Sequence, residues 1–235
     1  MVAERAGADR IELCSNLREG GTTPSAGTIE VVRAGISFGL QVMVRPRSGD
    51  FCYSEEEFKI MRRDVIAARQ FGANGVVMGL LKQDGRIDVA RTRELVELAR
   101  PLRVTFHRAF DLSEDLVRDP TRALHAVILT GADRVLTSGG KPTAMEARPI
   151  LTNLVQAAQG RIKILACGGI DASNAATIIR DTGITEIHAG LRRPLQNAKP
   201  AHAQLSLGVE YESTAQRFEV REEDVRKLRS TVDAA

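Results

Sequence analysis

The chain has 235 residues, with 33 Lys and Arg against 30 Asp and Glu and a formal net charge of +3. Hydrophobic residues make up 43% of it and charged residues 27%, which excludes a mainly disordered chain. Interspersed charges and an aromatic content of 4% argue against a nucleic-acid-binding surface. No apolar run approaches the ~20 residues of a membrane helix, and no secretory signal is recognisable, so we expect a cytoplasmic protein.

Short β-rich runs alternate with longer helical segments along the chain. Such alternation predicts a parallel sheet, because each helix carries the chain back to the start of the next strand. The predicted strands are Arg10–Cys14, Gln41–Arg45, Gly75–Gly79, Arg103–His107, Arg134–Thr137, Ile162–Cys167 and Glu186–His188.

The predicted helices show apolar residues at three- and four-residue steps and polar residues at their starts. Ser54 with Glu57 forms a capping box, and Asp119 and Asp171 are predicted to cap later helices. The predicted helices are Glu55–Gln70, Arg91–Ala99 and Thr121–Leu129.

Three similar phrases, GADRIEL, GANGVVM and GADRVLT, each join the end of a helix to a strand. Seven repeated units without a domain-sized break predict a TIM-type (β/α)8 barrel forming a single domain over residues 1–235. The chain opens on a helix tail, so we expect the first strand of the barrel to be missing from it. The alternative is a seven-stranded or doubly wound sheet.

Side-chain alternation along the strands predicts which polar residues face the barrel axis. Apolar strand residues such as Ile11, Val44 and Phe106 are expected to face the helices. Four polar side chains then point inward near the carboxyl ends of the strands, where barrels of this type have their active sites. These candidate catalytic residues are Glu12, Arg45, His107 and His188. The alternative is a set of polar groups that satisfy one another.

The loops after these strands add candidate ligand-binding residues. Three arginines on one rim, together with hydroxyl groups and a Gly-Gly turn before a helix, favour a small anionic ligand. The candidates are Arg47, Asp50, Arg108, Asp111, Thr137, Ser138, Gly168 and Gly169.

Four phrases carry a resemblance to a known family: GADRIELCSNLREGGTTPS, VRPRSGDFCYS, TFHRAFD and RVLTSG. They closely resemble the CutC family of copper homeostasis proteins, over residues 3 to about 190. The resemblance implies a cytoplasmic TIM-type barrel that forms a homodimer or higher homo-oligomer and binds copper or confers copper tolerance. By position, the motif residues of the family correspond here to Cys14 and to the candidate catalytic and ligand-binding residues named above, except for Gly168 and Gly169.

The sequence departs from the family pattern in three places. The opening strand of the family is absent with any cysteine on it. Cys167 stands where the family has a glycine, and the segment AGLRRPLQ after His188 differs from the family's. The first departure argues against a copper site with two cysteines of which one lies on the first strand. The third argues against transferring the family's contacts beyond His188.

Copper binding needs soft ligands, and Cu(I) prefers thiolates and thioethers. Cys14 ends its predicted strand and Cys52 follows the next, so the two thiols can meet across one strand spacing as a Cu(I) site. Met43 is a possible soft neighbour. The alternative is three unrelated thiols behaving as small apolar side chains.

Two other functions remain open from the sequence. In an enzyme acting on a small anionic metabolite, phosphorylated or not, Glu12 or His107 is the base and Arg45 and Arg108 orient the substrate. A metal-assisted version uses Glu12, His107, Asp111 and His188 as ligands. The third reading is a binding or scaffold protein without catalysis.

The C-terminal part of the chain lacks the strand–helix pattern of the repeated units. Residues 191–235 are expected to form a loop and a helix, packing on the barrel or on a sister subunit. The helix is predicted at Val220–Leu228, and the polar stretch Gln196–Thr214 before it is expected to be a lid or an oligomer contact.

Overall fold

The computed structural model describes residues 1–195 and 217–235. Seven strands form one sheet in sequential order, and every neighbouring pair is parallel. The strands are Arg10–Leu13 (β1), Gly39–Met43 (β2), Gly75–Met78 (β3), Arg103–Phe106 (β4), Arg134–Thr137 (β5), Lys163–Ala166 (β6) and Glu186–Ile187 (β7).

This strand order confirms the prediction of a TIM-type barrel that lacks one strand. A doubly wound sheet reverses its strand order near the middle, and no reversal occurs here. In the described part of the chain, β1 and β7 are the two edges of a curved sheet with seven of a barrel's eight strands.

The helices follow the strands and cover the outer side of the sheet. They are Val2–Arg5 (α1), Ala26–Ala34 (α2), Glu55–Gln70 (α3), Val89–Ala99 (α4), Glu114–Arg118 (α5), Pro120–Thr130 (α6), Arg148–Ala158 (α7), Ala175–Thr182 (α8) and Glu222–Asp233 (α9). Within residues 1–195 and 217–235, none of them combines the length and apolar character required to cross a membrane.

Two of the three predicted helix starts are confirmed. Ser54 accepts a hydrogen bond from the Glu57 amide while the Glu57 carboxylate accepts one from the Ser54 amide. Asp119 caps α6, whose first residue is a proline. The prediction for Asp171 is wrong: α8 begins only at Ala175, and the Asp171 carboxylate instead holds the Ser173 amide and hydroxyl in a turn.

The core lies between the sheet and the helices, and it takes every second residue of each strand. On β1 and β2, for example, Ile11, Leu13 and Val42 belong to it. A separate small apolar cluster of Leu136, Leu165 and Cys167 comes from the alternate positions, on the inner side of the sheet.

Beyond β7, two short strands pair in antiparallel fashion, Arg192–Pro194 (β8) with Phe218–Val220 (β9). Strand β9 leads into α9, which contacts α8 and α1. The predicted helix at Val220–Leu228 therefore begins two residues later and runs longer. The stretch Gln196–Thr214, expected to be a lid or an oligomer contact, lies outside the described residues.

Candidate functional site

Glu12, Cys14 and His188 come together at the carboxyl ends of the two edge strands. Cys14 donates a hydrogen bond from its thiol to Oε1 of Glu12 at 3.7 Å. Oε2 of the same carboxylate lies 4.0 Å from Nδ1 of His188, which follows β7. Burial, reinforced by the Glu12 carboxylate, raises the pKa of the Cys14 thiol well above its usual value. The cysteine is therefore a protonated, half-buried thiol beside a proton acceptor.

Below this group, an ion cluster joins the two edge strands inside the sheet. Glu186 on β7 accepts hydrogen bonds from Arg10 on β1 at 2.5 Å and from Arg134 on β5 at 2.7 Å. Burial opposes the Glu186 charge, but the Arg134 and Arg10 guanidinium groups prevail and lower the pKa of the carboxyl. This cluster was not predicted from the sequence, although the same alternation that places Val135 outward places Arg134 inward.

Arg45 is buried and holds two loops. Its guanidinium donates to the carbonyls of Glu19 and Gly21, at 2.7 and 2.8 Å, and to that of Gly49 at 2.9 Å. Its Cζ lies 4.9 Å from the centre of the Phe51 ring. No carboxylate of the described residues forms an ion pair with it. Three of its five N–H groups thus fasten the loops after β1 and β2.

His107 is buried next to Arg45 and is neutral. Nδ1 accepts the Ala109 amide at 3.2 Å, and the ring packs on Phe51 with the ring centres 4.8 Å apart. Burial, and then the charge of Arg45, lowers the pKa of His107 to about 3. Gly79, directly after the neighbouring strand β3, makes room, because a Cβ there would lie 2.6 Å from Nδ1.

Asp111 is the centre of a hydrogen-bond network after β4 and β5. Its carboxylate accepts bonds from the Thr137 hydroxyl at 2.5 Å, the Gly140 amide at 3.1 Å and the Arg108 Nε at 2.8 Å. The amide and hydroxyl of Ser138 also donate to it. Four of the predicted ligand-binding residues are thus brought together, and they bind one another.

Arg47, Asp50 and Cys52 lie in the loop after β2. Arg47 pairs with Asp50 at 2.9 Å and with Glu57 at 2.5 Å, and it also donates to the Cys52 carbonyl. Cys52 is a free, half-buried thiol, like Cys14. The structure gives the Cys14 thiol a bond to Glu12, and the pairing of the two cysteines on copper stays a prediction.

Gly168 and Gly169 form a turn with positive φ values of 98° and 65°. A Cβ on Gly168 would lie 3.0 Å from that of Ser138, so the close approach of two loops requires a glycine. Because α8 begins at Ala175, the turn does not open directly onto a helix start as predicted. The helix-dipole argument for anion binding at these two glycines therefore fails.

The four-residue metal site considered from the sequence is not assembled. In the part of the chain that the structure describes, no three His, Cys, Asp or Glu side chains are grouped closely enough to hold a metal ion. Glu12 and His188 are close together, whereas Asp111 belongs to the network after β4 and β5 and His107 is enclosed beside Arg45. This finding does not apply to a metal site with only two protein ligands.

Known proteins share this architecture and, in part, this sequence. The phosphoribosylanthranilate isomerase of Pyrococcus furiosus superposes with a TM-score of 0.57 over 100% of this chain and 92% of its own at 12% identity, which shows the fold alone. The crystal structure of the CutC protein of Streptococcus agalactiae gives a TM-score of 0.74 at 32% identity, over 78% of this chain and 89% of that one.

The sequence comparisons agree with the structural one. A human protein named copper homeostasis protein cutC homolog is 42% identical over 229 residues, 97% of this chain and 82% of the relative. The family model for CutC matches residues 1–192. The resemblance in the strand-end phrases is thereby confirmed, and the chain belongs to the CutC family.

Proposed function

We propose that this protein binds Cu(I) as its cargo in copper homeostasis, with Cys14 and His188 as the two ligands and Glu12 beside both. The observation that supports this most directly is the single Glu12 carboxylate lying 3.7 Å from the Cys14 sulfur and 4.0 Å from the His188 nitrogen. The relatives named copper homeostasis proteins support the choice of metal.

The donor types fit copper in its reduced state. Cu(I) is soft and prefers sulfur, and imidazole is also a common copper ligand. A thiol with one imidazole offers a two-coordinate site, which needs no third protein ligand. Met43 adds a soft group nearby, since its methyl and the Cys14 sulfur both flank Gly21.

Glu12 supplies the proton chemistry that binding requires. Copper binds the thiolate, so the S–H proton must leave as the sulfur–copper bond forms. Oε1 of Glu12 already accepts the hydrogen bond from that thiol and is the nearest proton acceptor, from which the proton passes to solvent. The raised pKa keeps Cys14 protonated, and hence poorly reactive, until the metal arrives.

The test is a competition titration of the reduced protein with Cu(I) against a chromophoric chelator. We expect wild type to bind one equivalent and Cys14→Ser to lose more than about a hundredfold in affinity. His188→Gln weakens binding, and Cys52→Ser is the matched thiol control. If Cys52→Ser is as damaging as Cys14→Ser, the two-thiol site is the correct one. If wild type does not compete, the proposal is wrong.

Location and assembly are further parts of this proposal. The three cysteines are free, in keeping with a reducing cytoplasm where Cu(I) is the stable copper species. A homodimer or higher homo-oligomer follows from the family resemblance, and sedimentation of the purified chain tests it.

A further inference from the structure

Three buried polar atoms without a hydrogen-bond partner belong to Arg45 and two residues beside it. They are Nε of Arg45, the hydroxyl of Tyr53 and Nε2 of His107. All three residues are at most 5% exposed. A buried polar atom without a hydrogen bond is costly, and such atoms are rare in folded proteins.

The three residues are neighbours. Arg45 and His107 both pack on the ring of Phe51, with the Arg45 Cζ at 4.9 Å and the His107 ring centre at 4.8 Å from the ring centre of Phe51. The Tyr53 hydroxyl approaches the Arg45 guanidinium closely enough to interact with it, without the geometry of a hydrogen bond.

Each of the three atoms is a hydrogen-bond donor. Arg45 Nε always carries its hydrogen. Because His107 Nδ1 accepts the Ala109 amide, the hydrogen of the neutral ring sits on Nε2. Burial raises the pKa of Tyr53 to about 12, so its hydroxyl keeps its proton. Any occupant that satisfies all three must therefore accept hydrogen bonds.

The charge of the surroundings favours an anion over water. Arg45 is a buried cation, and no carboxylate within residues 1–195 or 217–235 lies within 4.0 Å of it. Its other bonds go to neutral carbonyl oxygens. A water molecule would accept from the donors but leave the charge uncompensated.

We propose that Arg45, Tyr53 and His107 enclose a binding site for one small monovalent anion, either a halide or the carboxylate end of an organic acid. The site lies beside β2 and β4, whereas the proposed copper site lies on β1 and β7. It does not rest on the copper proposal. Since Arg45 also fastens the loops after β1 and β2, a bound anion stabilises these loops.

The first experiment measures the Tm of the wild-type chain in increasing sodium bromide, chloride, formate and acetate. Ionic strength is held constant with sodium sulfate, because its anion is neither a halide nor a carboxylate. We expect saturating stabilisation of the form given by one-site binding. Stabilisation by halides alone identifies a halide site, whereas stabilisation by formate and acetate as well identifies a carboxylate site. No anion-specific stabilisation overturns the proposal.

The variants locate the effect. Tyr53→Phe removes a hydroxyl that has no partner, so it folds without losing a hydrogen bond and binds the anion about tenfold more weakly. Thr92→Val is the matched control, because Thr92 on α4 also carries a buried, unpartnered hydroxyl. An unchanged anion response in Tyr53→Phe places the anion elsewhere and overturns the proposal.

Crystals soaked in bromide give the position directly. We expect an anomalous peak within hydrogen-bond distance of Arg45 Nε and His107 Nε2. Density without an anomalous signal at that place, even at saturating bromide, identifies a water molecule and overturns the proposal.

Discussion

Two sides of the barrel mouth use similar residues in different ways. After β4 and β5, Asp111 binds Arg108, Thr137, Ser138 and a backbone amide in contacts of 2.5 to 3.2 Å. Across the mouth, and among the described residues, Glu12 makes only long contacts of 3.7 and 4.0 Å, to Cys14 and His188. The Asp111 carboxylate makes its hydrogen bonds to the loops, whereas the Glu12 carboxylate can still bind a ligand.

The difference teaches that polar residues converging at strand ends are not all site residues. A buried carboxylate whose short bonds join two loops is a structural element, because its removal leaves several donors unsatisfied. A half-buried carboxylate with long bonds costs little to rearrange, which suits a group that must accept a proton or admit a metal.

The largest expected effect is on the structural side. Asp111→Ala leaves the Arg108 Nε and several buried donors without a partner, and we expect it to lower the free energy of unfolding by about 3–5 kcal/mol. Urea denaturation measures this. Asp50→Ala, which removes an exposed carboxylate paired with Arg47, is the control and costs about 1 kcal/mol or less. Equal losses of unfolding free energy in the two variants contradict the structural role given to Asp111.

A second effect concerns pH and the enclosed His107. Its pKa is about 3 when folded against 6.5 when unfolded, so only the unfolded chain takes up this proton as the pH falls below 6.5. Its contribution to stability is therefore complete above pH 6.5. It is then lost as the pH falls towards 3, by about 1.4 kcal/mol per pH unit.

The measurement is urea denaturation at pH 7.5 and at pH 5.5. We expect His107→Gln to lose less stability between these two values than wild type, since it lacks the titrating group. His125→Gln, at an exposed position of α6, keeps the wild-type pH dependence. A pH dependence unchanged in His107→Gln shows that His107 is not the responsible group.

The smallest expected effect is on the ligand side. Glu12→Gln changes the free energy of unfolding by no more than about 1 kcal/mol, because the contacts it loses are long. Its Cu(I) affinity falls by about tenfold, as for a residue that assists a metal ligand without being one. A loss of stability comparable to that of Asp111→Ala removes the contrast between the two sides.

Much of the fold follows from local patterns in the sequence. The alternation of Ile11 and Leu13 with polar residues predicts which side of β1 meets the helices, and the Ser54 capping box sets the start of α3. The start of α8 was misplaced because Asp171 can hold a turn as readily as a helix end.

The site was only partly predictable, for a physical reason. Alternation brings Glu12, Arg45, His107 and His188 to one end of the barrel, but which of them bind each other depends on loops whose course has no periodic signal. Arg45 fastens carbonyls of two such loops, and Asp111 collects donors from residues 137–140. Tyr53, which approaches Arg45, gave no signal at all.

X-ray absorption at the copper edge, on the reduced full chain loaded with one equivalent of Cu(I), tests the central claim most directly. The account predicts one sulfur and one imidazole nitrogen around the metal, with the sulfur scattering lost in Cys14→Ser and kept in Cys52→Ser. A copper bound by two sulfurs, or by none, contradicts it.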